Sequence, residues 1–250
     1  MMNPSEFEHI AQSEEELWWY RGQRDILVQV IEKKLPAHTL RRVLEAGCGT
    51  GHTAQFLEER YGWNVTALDL SEVGLRYAQR RGLSRLVQGD ISKLPFERGA
   101  FDAVISLDVI AHFDEGQERL PISEFARVLK PGGKLLLRTS ALDSLRSRHS
   151  EYVMERQRFT RERLVSQIER NGFRVLFASY VNALLLPVAW LKFRVWEPLT
   201  DAPAASGVMP VSSWMNSLLS VPMALETQWI KMGGRFPIGQ TLLVLAEARH

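Results

Sequence analysis

Val43-Leu44-Glu45-Ala46-Gly47-Cys48-Gly49-Thr50-Gly51 reads as a buried strand running straight into a glycine-rich turn, with a helix-like segment following from His52 to Tyr61. Glycines at alternate positions let the backbone turn tightly and let a ligand approach the main chain. The N-terminus of the next helix then offers free N–H groups and a partial positive charge. Such a combination holds a nucleotide-like ligand, and the spacing narrows which one. A dinucleotide fingerprint is G-x-G-x-x-G. Here Gly47, Gly49 and Gly51 give G-x-G-x-G, and His52 stands where the third dinucleotide glycine would fall. No P-loop Lys-Ser/Thr pair follows. Glu45 would repel a pyrophosphate and suits a ligand whose nearby part carries a cationic amine or sulfonium.

Outward from the loop, a second strand, Trp63 to Leu68, ends in Asp69. An acid there, about twenty positions after the loop, accepts hydrogen bonds from both ribose hydroxyls. Leu86-Val87-Gln88 leads to Gly89-Asp90-Ile91, where a carboxylate can reach an adenine amino group and Ile91 can pack on the ring. Phe101 to Asp108 forms a fourth strand end. Glu124 to Leu129 reads as helix, Lys130-Pro131-Gly132-Gly133 stops it, and Lys134 to Arg138 resumes as strand. This alternation describes a doubly wound parallel sheet that binds ligands at the C-terminal strand ends.

These residues resemble the class I S-adenosylmethionine-dependent methyltransferases, from roughly Val43 to Leu142. VLEAGCGTG is similar to the family's first motif, Asp69 to its ribose-binding acid and Gly89-Asp90-Ile91 to its adenine motif. LKPGGKLLL, Leu129 to Leu137, resembles its fifth-strand motif, and SKLPFERGAFDAVIS, Ser92 to Ser106, the segment before its fourth strand. The resemblance implies an α/β fold: a seven-stranded Rossmann-like sheet with the last strand antiparallel. It implies S-adenosyl-L-methionine as cofactor, held by Glu45, Gly47, Gly49, Gly51, Asp69, Leu70, Asp90, Ile91 and Leu107. The tail also resembles a small-molecule group found among polysaccharide and secondary-metabolite gene clusters. The cues are WWYRGQR at Trp18, His149 ahead of an Arg-aromatic-Thr turn, Asn182 at the sixth strand's end, and PIGQTLLVLAEAR at Pro237. Ser150, Glu155 and Gln157 stand where that group carries Asp, His and Arg.

Two hundred and fifty residues allow a single domain with a sizeable insertion. The expected parts are an N-terminal helical cap (1–40), a cofactor-binding core (41–181), a hydrophobic insertion (182–240) and the last strand (241–250). Apolar spacings from Glu14 to Glu32 predict one helix in the cap. Its Trp18-Trp19-Tyr20-Arg21 cluster either closes the sheet edge or forms a lid, with Tyr20 or Arg21 touching the methionyl part. Thr160 reads as the N-cap of a helix to about Arg170, and Phe173 to Val181 as strand. The insertion holds Trp190, Trp196, Trp214 and Trp229, more than half of the chain's 7 tryptophans. Trp214, Leu218, Leu225 and Trp229 share one helical stripe that Pro222 should kink or break. The insertion reads as a helical cap with its own small core, and also as a lid selecting an apolar or aromatic acceptor. Peripheral membrane contact is a second expectation for the same face.

Methyl transfer from a sulfonium needs alignment and exclusion of water, and a base only where the acceptor loses a proton. Asp108 and His112, at i and i+4, are expected on one helical face, with Asp108 orienting His112 as base. The alternative is a structural His112 that caps or packs the loop. Some ubiquinone-type relatives bind a metal here through Glu-x-x-Glu-His. Asp108, Ala111 and His112 lack one of those ligands, so no metal is expected. His52 is expected to be solvated. Arg146, Arg148, Arg156, Arg158, Arg161 and Arg163 read as a solvated helix face, or as a contact for an anionic substrate. A net charge of +2 gives no case for nucleic acid. A sole cysteine, Cys48, and no basic-plus-apolar leader suit a cytoplasmic protein. The expected activity is O-methylation of a small, lipid-like or aromatic acceptor. The alternatives are another S-adenosylmethionine-dependent enzyme, such as a cyclase or decarboxylase, and a non-catalytic binding module.

Overall fold

The computed structural model describes residues 3–35, 37–200, 203, 206–208 and 211–249. Its sheet contains β1 (Arg42–Ala46), β2 (Asn64–Asp69), β3 (Leu86–Gln88), β4 (Phe101–Leu107), β5 (Leu129–Ser140), β6 (Phe173–Val181) and β7 (Thr241–Ala248). The 7 strands lie in the order β3-β2-β1-β4-β5-β7-β6. β1 to β5 pair in parallel, and β7 runs antiparallel to both β5 and β6. Glu247 of β7 pairs with Lys134 of β5 and with Arg174 of β6, so opposite charges face each other across the antiparallel ladders.

The helices are α1 (Pro4–Ser13), α2 (Trp18–Lys34), α3 (His52–Tyr61), α4 (Glu72–Arg80), α5 (Arg119–Val128), α6 (Arg148–Tyr152), α7 (Arg161–Arg170), α8 (Leu186–Leu191) and α9 (Ser213–Lys231). Side chains alternate across each strand, so one sheet feeds two cores. Val43, Leu243 and Leu245 pack with Ile26, Ile31 and Leu57 of α2 and α3. Leu44, Leu242 and Val244 pack with Ile122, Phe125, Leu164 and Ile168 of α5 and α7. The strand order reverses between β1 and β4. That switch opens a crevice at the C-terminal strand ends.

Three local expectations need correction. The helix expected from Glu14 to Glu32 begins only at Trp18, as α2, and a separate helix, α1, precedes it and ends at Ser13. Buried Glu14 lies in the break: its carboxylate accepts hydrogen bonds from Thr50 Oγ1 at 2.5 Å and from Arg81 Nη2 at 2.5 Å. The fifth strand begins at Leu129, where it pairs with Phe101, and continues after a register shift. α9 runs through Pro222 without ending. Its buried residues, among them Met223, Thr227 and Ile230, hold it against α2. The two helices approach so closely that a Cβ at Gly22 would lie 2.6 Å from Met223 Cβ. The helix capped by Thr160 and the strand from Phe173 to Val181 are where the sequence puts them.

Candidate active site

The crevice holds a cavity of about 1090 Å³. Glu45, Gly47, Gly49, Asp69, Leu70, Asp90, Ile91 and Leu107 all line it. Gly47 has φ +88°, and a Cβ there would fall 2.3 Å from Val109 Cγ2. Gly49, at φ +53°, has open space where its Cβ would stand. Only glycine permits both the turn and that bare backbone face. Gly51 departs from expectation. It lies outside the lining and packs on α4, where a Cβ would be 2.6 Å from Ala78 Cβ.

Glu45 is buried at the end of β1. It accepts a hydrogen bond from the Ala54 amide, and its Oε2 has no partner. Burial pushes this carboxyl up to about 8. Asp69 accepts the Gly49 amide on Oδ2 at 2.8 Å and the Ser71 amide on Oδ1 at 2.8 Å. Burial raises its pKa as well. Asp90 is exposed and accepts the Ser92 amide at 2.7 Å. Tyr20 lines the cavity, and burial raises its phenol. Arg21 does not line the cavity; it is exposed. Arg24 takes the inward position one turn on and donates to His52 Nε2 at 3.2 Å. His52 is therefore not solvated. Burial, with the Arg24 charge beside it, lowers its pKa to about 4.

Beside the glycine loop, where Val109 packs on Gly47, the expected Asp108–His112 couple does not form. Asp108 sits at φ +62°, and only a 3₁₀ turn, Ile110–His112, follows. Without an α-helix, i and i+4 do not share a face. Asp108 instead accepts Arg138 Nε at 3.0 Å and Nη2 at 2.6 Å, and Arg138 lies over the Trp19 ring. His112 Nδ1 is 3.3 Å from the Met154 carbonyl. A carbonyl only accepts, so Nδ1 carries a proton, and in the neutral ring Nε2 then keeps its lone pair. His112 also lies within electrostatic reach of Asp69.

The arginine run is not one solvated face. Arg148 bonds to Thr200 Oγ1 and the Glu197 carbonyl, Arg158 pairs with Glu155, and Arg163 pairs with buried Glu118. His149, pulled down to about 4 by burial, accepts the Gly207 amide at 2.8 Å. Asn182 lines the cavity at the end of β6 with φ +56° and is 1% exposed. Neither its Oδ1 nor its Nδ2 has a partner. An orphaned buried amide facing a cavity is costly unless a ligand completes it. In the sequence, Asn182 is only one cue among several in the tail.

Residues 44–137 match the family described as "Methyltransferase domain". The malonyl-[acyl-carrier protein] O-methyltransferase of Enterobacter lignolyticus (strain SCF1) is 40% identical over 113 residues, which are 45% of this chain and 44% of that protein. O-methyltransferase resE of Aspergillus sclerotiorum is 25% identical over 215 residues, 80% of each chain. A solved structure of geranyl diphosphate methyltransferase in complex with SAM shares the fold. Its TM-score is 0.58, at 16% identity over 91% of this chain and 85% of that one. Over residues 44–137 the chain resembles the class I S-adenosylmethionine-dependent methyltransferases. The match spans less than half the length of the malonyl-[acyl-carrier protein] O-methyltransferases.

The cavity fits the cofactor of that family. The free oxygen of Glu45 suits the methionyl ammonium, and the open face of Gly49 admits the ligand to the backbone. Asp69 keeps lone pairs for the ribose hydroxyls, and Ile91, Leu70 and Leu107 offer apolar surface to the adenine.

Proposed function

We propose that this chain methylates a hydroxyl of a small, lipid-like or aromatic acceptor, with S-adenosyl-L-methionine as donor. One observation carries the reading. A single cavity joins the glycine loop and its acids to the free Nε2 of His112 and to an apolar wall of Leu185, Phe193, Met215 and Leu219. When bound, the cofactor supplies an electrophilic methyl group on a sulfonium. The glycine loop, Glu45 and Asp69 orient it. His112 Nε2 takes the acceptor's proton, and the Met154 carbonyl holds the ring in the required tautomer. The N-terminal cap (1–40) and the insertion (182–240) act as two lids over the core (41–181 with 241–250), excluding water and favouring an acceptor of large apolar area. The O-methyltransferase names of the two relatives support oxygen as the acceptor atom.

Calorimetry and a labelled-methyl assay test the proposal. S-adenosylmethionine and S-adenosylhomocysteine should bind, and NAD should not. Asp69→Ala should weaken binding by about 1.5–3 kcal/mol, the scale of charge-assisted hydrogen bonds. Unchanged affinity in that variant would overturn the cofactor assignment of Asp69. Transfer to amine or carbon acceptors but to no alcohol or phenol would overturn the hydroxyl assignment.

A further inference from the structure

All exposed large apolar side chains among the described residues, apart from Leu70, Leu120 and Met154, lie between Leu184 and Ile238. On α9 they form a stripe. Trp214, Leu218, Val221 and Leu225 recur every three or four residues on the face turned away from α2. Beyond α8, a π-turn over Lys192–Trp196 and a 3₁₀ turn over Glu197–Leu199 leave Trp196 68% and Leu199 78% exposed. The two segments meet at Glu226 of α9, whose carboxylate accepts the Leu184 amide at 2.8 Å. A surface helix ordinarily turns its apolar stripe inward. α9 already buries one such face, so its second apolar face lacks a partner.

The charges around this surface say what covers it. Lys192 and Arg194 are exposed on the α8-to-Leu199 segment and Lys231 at the end of α9. Among the described residues from 184 to 238 the carboxylates are Glu197, which accepts the Arg148 amide at 3.0 Å, and Glu226, which is buried. Cations without exposed acids among the described residues of these segments, interleaved with tryptophans, match the interface of an anionic bilayer. A second copy docked by two-fold symmetry would bring two basic patches together. No helix among the described residues is long and apolar enough to cross a membrane, so contact is in the plane. We infer that α9 and the α8-to-Leu199 segment dock this protein on an anionic lipid surface. Val188, Lys192, Val211 and Met215, all exposed, also line the cavity, so its mouth opens into that surface. Entry of a membrane-borne acceptor through this mouth rests on the function proposed above; the docking does not.

Vesicle flotation of the full chain tests the docking, with neutral phosphatidylcholine vesicles against vesicles in which about a third of the lipid is phosphatidylglycerol. The protein should float with the anionic vesicles, far less with the neutral ones, and less at high salt. Two variant pairs outside the cavity lining, Leu218→Ser with Leu225→Ser and Trp196→Ser with Leu199→Ser, should each lower partitioning by about tenfold or more. S-adenosylhomocysteine affinity should be unchanged in both, which reports on folding independently of lipid. No flotation with either vesicle, or parental flotation by both folded pairs, would overturn the inference. So would a dimer in sedimentation that the same substitutions dissociate, because the face would then belong to a second copy. Loss of cofactor binding by the parent would count against the proposed function and leave the flotation result standing.

Discussion

Glu45 sets a pH dependence that can be read on the protein without ligand. Its carboxyl titrates near 4.5 when unfolded and at about 8 when folded. Between those values the folded state keeps a proton that the unfolded state gives up. Stability therefore falls as pH rises through that window, by at most about 1.4 kcal/mol per pH unit. Glu14, Asp69 and Glu226 are raised by burial too and act in the same direction. They remain in Glu45→Gln, so the difference between parent and variant isolates Glu45. Thermal midpoints from about pH 5 to about pH 8 should decline more steeply in the parent. Parallel curves would sink this account of the Glu45 site. His112 makes a separate prediction. With a hydroxyl acceptor, His112→Ala should lower turnover by about 10²–10⁴-fold and remove the limb of the pH profile that reports a base, while cofactor affinity persists. Asp108→Asn should act differently, through the lost Arg138 pair: a lower melting temperature with the pH profile retained. If Asp108→Asn instead shifts the profile as His112→Ala does, the two residues act as a couple after all.

At the scale of elements, the joint between β6, α8 and α9 depends on one carboxylate. Glu226 accepts backbone amides at Asn182, Ala183 and Leu184. Glu226→Leu leaves those donors buried and unpaired, so it should cost about 1–3 kcal/mol in denaturant unfolding. A neutral result would mean that the joint is held by packing alone. The same joint shows where sequence reading stops. The strand–glycine turn–helix unit, the Thr160 cap and the β6 limits were legible because each is written in consecutive residues, and backbone geometry converts that spacing directly into shape. Gly22, Glu14 and Glu226 were not. Each acts on a partner remote in the chain: Gly22 on Met223, Glu14 on Thr50 and Arg81, Glu226 on Leu184. The Asp108–His112 couple failed for a related reason. The i and i+4 rule assumes a helix, whereas Arg138 holds Asp108 in a left-handed turn from another strand. Gly51 fits the motif but serves helix packing, which spacing cannot distinguish from ligand contact.

Across the whole molecule, the cavity lies between two structures that the core alone does not supply. α1 packs on α4, with Phe7 filling the space over Gly74, while α9 lies against α2. Glu14 joins the first of these structures to the ligand cradle. Thr50 belongs to the glycine turn and Arg81 to the end of α4, and one buried carboxylate holds both at 2.5 Å. The consequence is one of timing. A spent cofactor should leave only after this clasp opens, so its release, rather than the methyl step, should limit steady turnover on a good acceptor. The first turnover should then outrun the later ones as a burst in rapid-quench kinetics. Glu14→Gln should hasten S-adenosylhomocysteine release by about tenfold in stopped flow and flatten the burst, as expected where release gates kcat. An unaltered release rate would mean that the cap opens elsewhere. With the clasp intact, product inhibition should then be part of the fold: a contact that would keep water from the sulfonium would also delay the exchange of used donor for fresh.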